Sequence, residues 1–155
     1  KVEDDNFGRV FNRTLDLRKT EAVKFFLSSG YTINQSIGIV GALLMKSGLN
    51  FTAVLDETDQ NPLGIAGWVG VRKTKLKNFS NDWRKFSSQL VFIKYELNSE
   101  QTQANIRLKK VDTLEKGHKN NCARVFAKYY LGVKKESDFV RVERLAIGLR
   151  ELLGV

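Results

Sequence analysis

Chemistry in this chain has few places to sit. Asp56, Glu57 and Asp59 bring three carboxylates into four positions. They lie between Lys46-Ser47-Gly48 and the glycine-aromatic segment Gly64-Ile65-Ala66-Gly67-Trp68-Val69-Gly70. Paired carboxylates can protonate and attack a glycosidic bond when they stand about 5–9.5 Å apart. The competing reading is a solvated acidic turn that balances the surrounding basic residues. Trp68 carries an indole face suited either to stacking on a sugar ring or to a core. Arg72, Lys73, Lys75, Lys77, Arg84 and Lys85 form one basic cluster, and Lys109, Lys110, Lys116 and Lys119 a second. Such runs are ordinarily solvated faces.

Other chemistries are poorly supplied. Cys122 is the one cysteine and His118 the one histidine, so no internal disulfide can form. Two ligands are too few for a closed metal site, and a core cysteine beside a surface histidine is the plainer reading. Nothing around His118 suggests the base of a nucleophilic site. Gly64, Gly67 and Gly70 match neither GxGxxG nor a Walker pattern, which sets aside a phosphate-binding loop. No metal and no cofactor is expected.

The elements that must position these residues are helices. At 155 residues the chain suits one domain with a real core, and 42% hydrophobic with 28% charged residues is an ordinary globular balance. Residues 1–17 read as an arm or short helix, and from Arg18 a helical stripe of Ala22, Val23, Phe26 and Leu27 runs to Gly30. Thr32 and Gln35 have capping-box spacing. The helix they open is apolar on most sides and carries Gly38 and Gly41, the mark of a central helix closely approached by its neighbours. It ends at Met45-Lys46-Ser47-Gly48, with Gly48 as its cap.

Residues 50–70 form a small loop or short-strand element. Further helices are predicted from Val71 to Phe79, from Asp82 through the Trp83, Phe86, Leu90, Ile93, Leu97 stripe, and from Ser99 to Lys110. Asp112 and Glu115 have the spacing to open another, through Tyr130 to a stop at Gly132. The last helix, 136–153, is expected to bury Phe139, Val142, Leu145, Ala146, Leu149 and Leu152. The fold class is mostly α, a single domain over residues 1–155.

The net charge of +9 favours polyanions: nucleic acid, an anionic membrane or acidic wall polymers. No apolar run approaches the ~20 residues of a membrane span, and no signal peptide is recognised. A chain opening at Lys1 reads as processed or as part of something longer.

Taken in order, these segments resemble the phage-tail lysozyme domains of the lysozyme-like superfamily. The resemblance covers residues 18–131. It is carried by Ala22-Val23-Lys24-Phe25-Phe26-Leu27-Ser28-Ser29-Gly30-Tyr31-Thr32, then Gly38-Ile39-Val40-Gly41-Ala42-Leu43-Leu44 and Ser47-Gly48-Leu49-Asn50. Gly64-Ile65-Ala66-Gly67-Trp68 with Arg72, and Gln89-Leu90-Val91-Phe92-Ile93-Lys94-Tyr95-Glu96-Leu97, complete it. The resemblance implies a peptidoglycan glycosidase whose general acid is a glutamate directly before the Ser-Gly pair. A helix C-terminus and partial burial raise the pKa of such a carboxyl, keeping it protonated and able to donate.

Here that position is Lys46, and a lysine ammonium yields its proton too reluctantly for the task. Many relatives also place glutamine before the tryptophan, where this chain has Gly67. The resemblance further implies that Ser47, Gly67, Trp68 and Arg72 belong to the substrate side of the cleft, and that Glu96 is structural. Tyr129 and Tyr130 fit helix packing better than the groove, and Trp83 fits the core.

The leading expectation is thus a catalytically impaired lysozyme-like domain of a phage virion or tail, acting at the bacterial wall. Its partners would be peptidoglycan or another anionic wall polymer and other tail proteins. An active muramidase or lytic transglycosylase using Asp56 or Glu57 is the alternative. A basic helical structural or nucleic-acid-binding module, without sequence specificity, is the third.

Overall fold

The computed structural model describes residues 2–50 and 61–155, with side chains from Arg13 onward. Among the described residues there are seven helices: α1 (Val2–Ser28), α2 (Ile33–Ser47), α3 (Gly70–Phe79), α4 (Phe86–Leu97), α5 (Thr102–Lys109), α6 (Cys122–Tyr129) and α7 (Glu136–Leu153). The chain is mostly α, as its periodicity predicts. Asp56, Glu57 and Asp59 lie outside the described residues.

α2 is the centre. It packs against α7, α6 and α1, and every residue from Gln35 to Leu44 is buried. Its two interior glycines explain how. A Cβ on Gly38 would meet the Ala123 backbone nitrogen and the Cys122 carbonyl carbon at 2.7 Å, so the N-terminus of α6 lies against bare backbone. A Cβ on Gly41 would meet Ala146 of α7 at 3.0 Å. Glycine inside a helix costs about 1 kcal/mol against alanine, and here close packing on two sides offsets it.

Both ends of α2 are fixed by local sequence. Thr32 Oγ1 accepts from the Gln35 amide at 3.1 Å, while the Gln35 side chain accepts from the Thr32 amide at 2.9 Å, a complete capping box. The same Gln35 donates Nε2 to the Val111 carbonyl at 2.9 Å, tying the helix start to the chain beyond α5. At the other end Gly48 takes φ +64°, the left-handed cap.

Four element boundaries differ from the sequence reading. The opening stretch is the first part of α1 rather than a separate arm. α4 begins at Phe86, not Asp82. Residues 81–84 form their own turn, because Trp83 is drawn into the core and its carbonyl accepts from Gln89 Nε2 at 3.0 Å. α5 begins at Thr102, after a turn in which the Gln101 amide donates to the Glu96 carbonyl at 2.7 Å.

Asp112 and Glu115 open no helix. Asp112 Oδ1 instead accepts from Thr32 Oγ1 at 2.7 Å, and Gly117 turns the chain at φ +76°. A parallel bridge pairs Thr113 with Asn121. The cap of α6 is Asn121, whose side chain accepts from the Ala123 and Arg124 amides. In α7, Phe139, Val142, Ala146 and Leu149 are buried and Leu145 is half-buried, while Leu152 is exposed and its neighbour Leu153 packs against the core instead.

Candidate functional site

The site expected from the sequence is assembled where the C-terminus of α2 meets the segment after Pro62. Leu63 and Trp68 exchange backbone bonds, Leu63 N–H to the Trp68 carbonyl at 2.9 Å and the reverse at 2.8 Å, closing a tight turn around one antiparallel bridge. This is the short-strand element. Gly64 (φ +76°) and Gly67 (φ +61°) supply the left-handed backbone the turn requires. Gln89 of α4 braces it, its Oε1 accepting from the Ile65 amide at 3.0 Å.

Ser47 joins the turn to α2. Its Oγ donates to the Ile65 carbonyl and accepts from the Leu49 amide at 3.1 Å. The hydroxyl expected to face substrate therefore holds the scaffold together. Leu49, buried and at φ +60°, completes the exit from the helix.

Lys46 occupies the last turn of α2, exposed. There an ammonium complements the negative end of the helix, worth about 0.3–1 kcal/mol at such a site. Its aliphatic stem runs across Gly67: a Cβ at residue 67 would stand 2.9 Å from Lys46 Cε and 3.3 Å from Cγ. Positions 46 and 67, twenty-one apart in sequence, are neighbours in space. The lysine stem fills the room that a longer residue 67 would take.

Trp68 and Arg72 both turn toward Glu96. Trp68 is 2% exposed, edge-on to Phe92, and its Nε1 donates to Glu96 Oε1 at 2.8 Å. Arg72 donates Nε to Glu96 Oε2 at 2.7 Å and Nη2 to Oε1 at 2.8 Å, and its guanidinium lies 4.7 Å from the centre of the Tyr130 ring. The Tyr130 hydroxyl adds a further bond to Glu96 Oε1. Trp68, Arg72, Glu96 and Tyr130 thus form a polar knot that links α3, α4 and the end of α6, with Trp68 buried and Arg72 partly exposed.

The electrostatics follow from that knot. Burial is the largest influence on the Arg72 cation and opposes it, yet the bonds and charges of Glu96 and Tyr130 together outweigh burial and hold the guanidinium above its ordinary range. Burial, then the Glu96 carboxylate, pushes the Tyr130 hydroxyl well above the usual phenol range. Both carboxylate oxygens of Glu96 are engaged by these donors.

Glu143 is the other buried carboxylate among the described residues, and it too is spent. It accepts from the Gly117 amide at 2.8 Å and from Arg124 at 3.3 Å. No described buried carboxylate is free to act as an acid. Among the described residues no group of three or more His, Cys, Asp or Glu could hold a metal ion. Cys122 is fully buried against Gly38, and His118, half-buried, accepts from the Asn120 amide at 3.0 Å.

The sequence reading missed Gln89 as the brace of the turn and Tyr130 as a partner of Glu96. Buried polar residues on otherwise apolar stripes are the signal for both, since such groups require partners.

No curated protein and no solved structure gives a significant match to this chain. The family model described as phage tail lysozyme matches residues 18–146. That span takes in the capped central helix, the turn it grips and the knot around Glu96, and on this match the chain belongs to the phage tail lysozyme family.

Proposed function

We propose that this phage-tail lysozyme domain engages peptidoglycan but no longer cleaves it by the family's acid-assisted route. The supporting observation is the contact between Lys46 and Gly67. The residue standing at the general-acid position is a cation at the end of α2, and its stem packs over the position where relatives carry glutamine. The two departures fit each other, as they would after chemistry was lost and the local packing readjusted. Protonating a sugar leaving group without such an acid forfeits a factor of about 10²–10⁴. The domain then serves as a wall-facing or structural unit of a virion or tail assembly, working beside other tail proteins at the bacterial surface.

Release of dye from labelled, purified peptidoglycan tests this. The unaltered chain is expected at background, and Lys46→Glu is expected to gain at least tenfold, limited by the missing glutamine at Gly67. Robust turnover by the unaltered chain overturns the proposal. Its loss in Asp56→Ala or Glu57→Ala would then transfer the chemistry to a displaced carboxylate.

A further inference from the structure

Two adjoining cavities of about 410 and 430 Å³ open on a different part of the molecule, formed by α5, the 110–121 segment, α6 and the approach to α7. They share Lys119, Val125, Lys128 and Tyr129, so they make one continuous groove. Arg107, Lys110, Lys119, Arg124, Lys128 and Lys134 line it, and no carboxylate does. Arg124 is committed to Glu136 and Glu143. Among the described residues no ion pair engages the other five.

The two basic clusters of the sequence therefore part company. In the first, Arg72 is bound to Glu96, Lys75 to Glu100 and Lys85 to Asp82, and Lys73 donates to the Asn61 carbonyl. From the second, Lys110 and Lys119 reach the groove and meet cations that the linear sequence placed elsewhere. Five cations with no ion pair among the described residues, set around one concave surface, produce a local field that attracts an extended polyanion far more strongly than the net charge alone.

The groove lining bears on which polyanion would fit. Tyr129, half-buried, has the Arg107 guanidinium 4.4 Å and the Lys128 ammonium 5.2 Å from its ring centre. Its ring serves cations and offers no stacking platform, which binders of single-stranded nucleic acid rely on. The aliphatic side chains Ile106, Val111, Val125 and Val133 share the lining with the amides Gln103 and Asn120 and with Phe139, which is buried beneath the Arg124 guanidinium. Cations spaced along aliphatic surface suit a chain of phosphates separated by short carbon linkers.

We infer that this groove binds a linear polyol-phosphate polymer, an anionic wall component distinct from the glycan strand. The site needs no glycan cleavage and stands whether or not Lys46 silences the other one.

The test is fluorescence anisotropy with dye-labelled poly(glycerol phosphate), titrated with the full chain at 50 and 200 mM salt. Binding is expected to weaken steeply with salt, because each neutralised phosphate releases a counterion. Lys119→Ser with Lys128→Ser should weaken binding at least tenfold and flatten the salt dependence. Lys75→Ser with Lys94→Ser, outside the groove, should change it less than twofold. Circular dichroism melting checks that both variants stay folded.

Equal losses in the two double variants, or no loss in the groove variant, overturn the inference. So does a single-stranded DNA of equal phosphate number that binds as tightly or more tightly, which would assign the groove to nucleic acid.

Discussion

Replacing Glu96 with glutamine keeps the volume and removes the one group that satisfies three side chains at once. Glu96 Oε1 accepts from Trp68, Arg72 and Tyr130, while Oε2 accepts from Arg72 Nε at 2.7 Å. Glutamine can leave its carbonyl at the first position, but its amide then faces Arg72 Nε–H, donor against donor. Breaking a buried ion pair from one side costs about 3–5 kcal/mol. The Arg72 side chain keeps 30% exposure against 3% for Glu96, so water recovers part of that. We expect a loss of about 2–4 kcal/mol, a large share of the ~5–15 kcal/mol that holds a domain together.

Urea unfolding, followed by tryptophan fluorescence and far-ultraviolet dichroism together, measures it. With a slope of about 2 kcal/mol per molar urea, the middle of the ordinary range, the midpoint should fall by roughly 1–2 M. Tyr130→Phe, which removes one donor and leaves the ion pair, should cost only about 1 kcal/mol. If Glu96→Gln costs less than Tyr130→Phe, Glu96 is not the hub of the knot and the reasoning fails.

Two further outcomes follow from the packing of α2. Gly38→Ala drives a methyl into the α6 backbone at 2.7 Å. Backbone cannot swing aside as a side-chain tip can, so the loss should reach the upper part of the ~1–3 kcal/mol range for overpacking; a midpoint within 0.3 M urea of the unaltered chain would contradict the close approach. Cys122, pushed up to about 11 by burial, should resist iodoacetamide at pH 8 in the folded state and react readily in urea. Its raised pKa favours the neutral thiol on folding, so the stability it contributes is intact below pH 9 and declines as pH rises toward 11. Equal alkylation rates in both states would argue against burial.

Local sequence determined the pieces. The Thr32–Gln35 box, the Gly48 stop and the central character of α2 are all legible because capping and glycine conformation act over a few residues. At two misplaced boundaries a distant partner had intervened: Thr32 claims Asp112 and the core claims Trp83. The spacing of Asp112 and Glu115 carries no trace of that competition.

The order of motifs along the chain likewise pointed to the family and drew attention to Lys46. Tertiary structure alone decided what surrounds it. Only folding lays the Lys46 stem over Gly67, turns Trp68 and Arg72 inward to Glu96, pairs Arg72, Lys75 and Lys85 with carboxylates, and gathers Lys110 and Lys119 with other cations around Tyr129. A carboxylate's meaning depends on which donors reach it, and a lysine's on whether an acid does. Those are distances between residues far apart in sequence, and no linear pattern encodes them.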